Sequence, residues 1–595
     1  MMPDLSPHKP KPGQPVLRPY AALPLLWAAI VLVLTLTPAQ DMPRTPAWEL
    51  LSFDTAAHAG VFVVLAGLSW VSFSRQRRWP HVARHAGLVV LVGTILFGGL
   101  IEILQHTMGL GRHGDWTDLL SDAIGAAVAV GLASAWAWGR KRRERVLAPV
   151  VWAGLVGATL GLSTMPLPGH AQDMPRVRRT IEKLGSPALH GRGYVKQGER
   201  KAADYLRKRL KKLKLEPLAP DYTQPFTLDV NTFPGKMRLS VTHKSGSNKS
   251  IIYELIPGHD FIAAPESKAA SLLDSGIAIL FDTLCFSSLS ERQALQTQVR
   301  RLMAKDAEGS FLVVAARDEK RLTSLPVTVR QTLDSLPNRI VLRPRLTASL
   351  ASFQAAGVRI EALDESAVWY PQNEIIALQI DAQLQRNYQT QNLAAIIRGT
   401  AQPDSFLVVT AHYDHLGLMG KKVYFPGAND NASGVAMLLE LAAHYARPEN
   451  RPAYSVVFLL FGAEEAGLVG SSYFVAHPLV PLKRIKFLVN LDLLGTGEQG
   501  ATVVNGRVLE SPFRRLVALN EAHRYLPQLA ARGRAANSDH FPFSEAGVPA
   551  FFIYTRGGSA AYHDANDQPA ALSLVGFTGA FGLVRDFLND LGAAK

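Results

Sequence analysis

Cys285 is the only cysteine in the 595 residues. That excludes an internal disulfide and any metal site built from several thiolates, so a metal here must take histidine and carboxylate ligands. Acidic residues are the minority charge, 49 Asp and Glu against 63 Lys and Arg, leaving a net +14. The basic excess sits beside apolar stretches, at Arg75, Arg77 and Arg78 and again at Arg140–Arg143. Such placement reports membrane orientation rather than nucleic-acid binding. With no Gly-aromatic RNA motif and no paired-Cys finger, nucleic acid is set aside as a partner.

What the chain has is a division. The first 170 residues hold long apolar runs, and the remainder reads as a soluble α/β protein. A bilayer core takes about 20 apolar residues per helix. Five segments meet that length: Leu17–Leu36, Thr55–Phe73, Ala86–Leu104, Leu119–Trp138 and Val146–Met165. Basic and acidic loops alternate between them, so the positive-inside rule predicts a cytoplasmic N-terminus. Five crossings would then carry everything after Met165 outside the cytoplasm. The expectation is a multi-pass protein of the cell (inner) membrane with the lipid bilayer as a partner. Val146–Ala171 also reads as a signal sequence, with a basic start, an apolar middle and small residues near Gly169. Cleavage there would release the larger part.

Polar residues gather at the ends of these runs: Asp54 with His58, Glu102 with Gln105, and Arg112 through Asp122 followed by Gly125. The pattern, over about residues 20–140, resembles the VanZ-like family of small bacterial membrane proteins. A structural cluster locking helices together explains the same residues.

Beyond Asp173, Glu199–Leu213 has the periodicity of a basic amphipathic helix. From about Ser247 to Asp381 short strands and helices alternate without a cluster of metal ligands. Then come nearly continuous apolar runs at Asn392–Ile397, Phe406–Ala411, Tyr454–Phe461, Phe487–Leu493 and Ala550–Tyr554, with a helical pattern at Ala432–Ala446. Such runs predict a mostly parallel sheet covered on both faces, whose ligands collect at the carboxyl ends of its strands.

The polar residues at those ends carry the functional signal. His412-Tyr413-Asp414 follows one strand, Asp430 opens a helix, and Glu464-Glu465 follows a second strand. Asp492 lies near the end of a third, and Tyr562-His563-Asp564 follows a fourth. Two imidazoles and three carboxylates suit zinc. Two ions sharing one bridging carboxylate would use all five ligands.

This constellation resembles the di-zinc peptidase family that includes bacterial leucyl aminopeptidases, glutamate carboxypeptidase II and the transferrin receptor, over residues 174–240 and 388–590. The resemblance implies two Zn²⁺ ions. His412 and Asp492 would hold one, Glu465 and His563 the other, and Asp430 would bridge them. It also implies Glu464 as general base, Tyr562 as a donor to the oxyanion, and often a cis peptide after the bridging aspartate. Asp414 suits a place behind His412, accepting its second imidazole N–H.

The expected organisation is therefore a VanZ-like transmembrane α-helical bundle of about five spans over 1–145, a fifth span and linker over 146–172, and an α/β zinc-peptidase domain. The peptidase domain would start over 173–242, take an inserted protease-associated-like α/β domain over 243–387, and hold its catalytic part over 388–595. The expected activity is a membrane-anchored aminopeptidase acting on peptide substrates. Carboxypeptidase or dipeptidase action, and a non-catalytic receptor or scaffold, are the alternatives. The oligomeric state is left open.

Overall fold

The computed structural model describes residues 172–593 except 246–248, 307–308, 365–368 and 370–373, together with 53–74, 80–108 and a few residues within 24–32 and 126–131. The chain divides into two compact units, Met1–Pro166 and Leu167–Lys595.

In the first unit the helices Phe53–Ser74 and Ala86–Met108 pack through Phe62, Leu65 and Ile101, and the rings of Phe62 and Phe97 lie 6.3 Å apart. The five-span bundle expected from the sequence is not supported. Among the described residues, no helix is long and apolar enough to cross a membrane. Each helix carries a polar residue within its apolar run, His58 in Phe53–Ser74 and Glu102 in Ala86–Met108. The expected spans Leu17–Leu36 and Leu119–Trp138 fall largely outside the described residues, as does all of Val146–Met165 and the polar run Arg112–Asp122.

The second unit is built on a nine-stranded mixed sheet. Its middle is parallel, in the order Tyr454–Phe461, Gln402–His412, Ile485–Leu491 and Ala550–Thr555. Gln383–Ile397 runs antiparallel to the first of these, and Ala501–Val504 antiparallel to the last. Alternate residues of each strand serve opposite faces. Leu407, Val409, Val456, Phe458 and Val489 join one core with the helices Met174–Leu184, Gly198–Lys212, Gly434–Tyr445 and Phe577–Gly592. Phe406, Val408, Val457, Leu459 and Leu488 join a second core with Phe474 and Phe543. Burial on both faces is why these strands read as continuous apolar runs.

A second sheet of eight strands lies between Met237–Ser245 and Glu374–Ile380. Its own cores enclose Phe311, Val313 and Ile360 on one face, and Leu312, Val299 and Leu333 on the other. The chain enters this sheet after the strand Thr223–Thr232 and leaves it into Gln383–Ile397; these two strands pair antiparallel from Gln383↔Thr232 to Leu393↔Thr223.

Candidate metal centre

Each parallel strand ends in a loop at the same sheet edge. His412 is the last residue of its strand, and Asp492 follows directly on Ile485–Leu491. Gly462 and Ala463, the latter at φ 60°, turn the chain out of Tyr454–Phe461 to present Glu464 and Glu465. His563 sits in the loop after Ala550–Thr555. Asp430 precedes the helix Gly434–Tyr445, and its peptide bond to Asn431 is cis. Gly427, at φ 57°, lets this loop close: a Cβ there would stand 2.2 Å from the Asp430 carbonyl oxygen and 2.4 Å from the His415 ring.

The five expected ligands converge. His412 Nε2 is 3.3 Å from Asp430 Oδ1 and 3.4 Å from Asp492 Oδ1. His563 Nε2 is 3.2 Å from Asp430 Oδ2 and 3.0 Å from Glu465 Oε2. The two oxygens of Asp430 thus face two different imidazoles. His412, Asp430 and Asp492 present ligand atoms close enough to share an ion, as do His415, Asp430 and Glu465, and also His412, Glu464 and Glu465.

Charge balance shows what the cluster requires. Burial would push the His563 imidazole down, but Glu465 and Asp430 hold it at about 11. Burial opposes the charge on His412 too, yet Glu464, Asp492 and Asp430 lift it well above the usual range. Burial and Asp430 would raise the Glu465 carboxyl, yet His563 and His415 keep it near 2. Burial lifts Glu464 well above the carboxylate range. Asp492 Oδ1, fully enclosed, accepts no hydrogen bond. Crowded buried carboxylates with a bare oxygen and two imidazoles form a nitrogen and oxygen donor set that fits a divalent cation such as zinc.

Asp414 stands 3.8 Å from His412 Nδ1, outside hydrogen-bond range. It accepts instead from the backbone N–H groups of Glu464 at 3.1 Å and Glu465 at 3.3 Å, and burial pushes its carboxyl up to about 7. Tyr562 stacks on the His563 ring at 4.0 Å and lines a cavity of about 220 Å³ together with Asp430, Glu464 and Asp492.

Several supporting residues carry little sequence signal. Arg192 is fully buried, and its guanidinium donates to five main-chain carbonyls: Tyr413 (2.8 Å), Leu184 (3.0 Å), Pro426 (2.7 Å), Gly427 (2.9 Å) and Asp430 (3.1 Å). His415 Nδ1 lies 2.6 Å from Glu465 Oε1. Ser538 donates to Asp492 Oδ2 at 2.9 Å, and Asp567 accepts the backbone N–H groups of Asn429 and Asp430. His563 is held from the second sheet's side: its Nδ1 donates to the Ala348 carbonyl at 2.9 Å, while the Ala348 N–H donates to the His563 carbonyl at 3.0 Å. Only His415 had a visible cue, its place three residues after His412.

Comparison with known proteins agrees with this geometry. Residues 392–586 match the model of Peptidase family M28, and residues 20–137 match VanZ/LLP1. The chain therefore carries an M28 peptidase domain in its C-terminal part and a VanZ-like region at its N-terminus. Aminopeptidase YwaD of Bacillus subtilis (strain 168) is 25% identical over 309 residues, 48% of this chain and 63% of that protein. A probable zinc metalloprotease of Pyricularia oryzae is 37% identical over 113 residues, 18% of this chain and 22% of that protein. The chain thus spans less than two thirds of the length of either relative. The solved structure of BSAP, a zinc aminopeptidase from Bacillus subtilis, superposes with a TM-score of 0.50 at 20% identity, covering 71% of this chain and 95% of that one. That likeness is one of fold.

Proposed function

We propose that the chain is a di-zinc aminopeptidase that removes N-terminal residues from peptides. The observation that carries this reading is Asp430, whose Oδ1 faces His412 and whose Oδ2 faces His563. A carboxylate so placed would serve two ions, with His412 and Asp492 completing one site and His563 and Glu465 the other. Bound zinc supplies Lewis acidity, acidifying a water and drawing electron density from the scissile carbonyl.

The chain's own residues do the rest. Glu464 lines the cavity beside these ligands and takes the proton from the attacking water, then returns it to the leaving amine. Asp414 fixes the backbone that carries Glu464 and Glu465. Tyr562 lines the cavity and is 46% exposed, and its hydroxyl donates a hydrogen bond to the carbonyl oxygen as negative charge develops there. His415 and Ser538 hold Glu465 and Asp492 in orientation. The second sheet is the inserted domain of this peptidase.

Residues 1–166 associate the chain with a lipid bilayer. The VanZ/LLP1 match supports this, and so do the exposed side chains of Leu88, Val92, Leu96 and Leu100 along one helix. Fractionation of the full chain with membranes, against a chain beginning at Leu167, tests it; equal partition of the two would overturn it.

The activity is tested with a panel of aminoacyl and N-blocked peptides, with and without chelator, and with zinc counted by elemental analysis. Chelator-sensitive release of free N-terminal residues, with two zinc per chain, is the expected result. Hydrolysis that survives metal removal would refute the reading.

A further inference from the structure

The cavity at the carboxylate cluster is lined by two unlike kinds of residue. Acceptors are Asp430, Glu464 and Asp492; donors are Arg532, Asn537 and Tyr554, with Phe552 also in the lining. Phe552 and Tyr554 are two apart on one strand, so both face the same side, and their rings lie 5.2 Å from each other. Arg532 follows the edge strand Leu529–Ala531, and Asn537 precedes the turn that delivers Ser538 to Asp492.

Arg532 differs from the arginines around it. Arg534 pairs with Glu545 at 3.2 Å, Arg507 donates to the Ala531 carbonyl at 3.1 Å, and Arg556 donates to the Gln499 carbonyl at 2.8 Å. Among the described residues, the Arg532 guanidinium makes no ion pair or side-chain hydrogen bond, and the side-chain amide of Asn537 and the hydroxyl of Tyr554 also have no partner. Three unengaged donor groups thus line the same cavity as the catalytic carboxylates, beside an aromatic surface. A guanidinium offers a paired set of N–H donors matched to a carboxylate.

We infer that Arg532, with Asn537 and Tyr554, forms a subsite for a carboxylate of the substrate, carried by the side chain of an N-terminal acidic residue. The aliphatic stem of a glutamyl residue lies on Phe552 and Tyr554, and its carboxylate meets the three donors. This inference rests on the aminopeptidase reading above. The same donors would take the other carboxylate a peptide carries, its C-terminal one, and the test separates the two sources.

The zinc-loaded protein is assayed with the p-nitroanilides of Glu, Gln, Leu and Lys, and with Leu-Gly against Leu-Gly amide. The wild-type protein is expected to favour Glu over Gln, and Arg532→Ala to lower the Glu-to-Gln ratio of kcat/KM about tenfold, the lower end for a charge-assisted hydrogen bond at a solvent-accessible site. Arg532→Glu should reverse the order in favour of the p-nitroanilide of Lys. Calorimetry of free L-glutamate and L-leucine binding should lose the same preference in Arg532→Ala, a readout independent of turnover. A ratio unmoved by Arg532→Ala overturns the subsite. A change confined to Leu-Gly against its amide overturns the side-chain assignment in favour of the terminal carboxylate. Absence of hydrolysis of every anilide by the wild-type protein overturns the peptidase reading itself, and calorimetry still reads the subsite.

Discussion

Replacing Arg192 by methionine keeps the length of the side chain and removes all five of its hydrogen bonds. Each bond from a charged donor is worth ~1.5–3 kcal/mol, and each buried carbonyl left bare costs ~1–3 kcal/mol. Against this stands the cost of burying the cation. Burial brings the guanidinium down from 12.5 to about 10, even with Asp430, Asp567 and Asp414 drawing it up, which corresponds to about 3 kcal/mol. Five bonds outweigh that penalty, so Arg192→Met should lose at least ~4 kcal/mol, the range reserved for exceptional single substitutions. Lysine keeps the charge but offers three donors in a compact head, and should lose about half as much. The loss should be local in origin, because four of the five freed carbonyls, all but that of Leu184, belong to the loops that carry His412 and Asp430. Zinc retention should therefore weaken along with stability. Urea unfolding followed by circular dichroism, with elemental analysis of the dialysed protein, measures both. An Arg192→Met protein that unfolds within about 1 kcal/mol of wild type and keeps its zinc would show that the clasp contributes nothing.

Three further outcomes are expected. Glu464→Gln should keep its zinc and lose roughly 10²–10⁴-fold in kcat on a leucyl anilide; near-normal turnover with intact metal would remove Glu464 as the base. His412→Ala should lose zinc, and unchanged stoichiometry would refute the ligand assignment. Glu199 is enclosed, accepts from the Tyr388 hydroxyl at 2.8 Å and leaves its second oxygen bare; burial raises its carboxyl from 4.5 to about 7. A raised carboxyl binds its proton more tightly in the folded state, so its contribution is full below about 4.5 and is lost as pH climbs to about 7, by ~3 kcal/mol. Glu199→Gln should flatten this part of the stability–pH curve, and an unchanged slope between pH 5 and 7 would refute it.

The sheet and the cluster of histidines and carboxylates at its edge were legible in the sequence for a common reason. A strand enclosed on both faces must be apolar throughout, so Phe406–Ala411 and Tyr454–Phe461 stand out, and the first polar residues beyond them mark the sheet edge. His412, Asp492 and Glu464-Glu465 are such residues. Arg192 was not legible, because its function is defined by carbonyls as far as 238 residues away. Asp414 was assigned by its spacing from His412, but the carboxylate turns to the N–H groups of Glu464 and Glu465, which spacing cannot reveal. In the first unit the apolar content predicted spans, but among the described residues no helix is long and apolar enough to cross a membrane.

The paired bonds between Ala348 and His563 bear on how such a protein tolerates change. A module that merely covers a catalytic cleft is free to grow, shrink or be exchanged. Here the module also lends an oxygen to the back of an imidazole in the buried cluster, so chain length near Ala348 is fixed by these two hydrogen bonds as well as by packing. Insertions belong at the far rim of the eight-stranded sheet, away from the strand ends that hold the cluster.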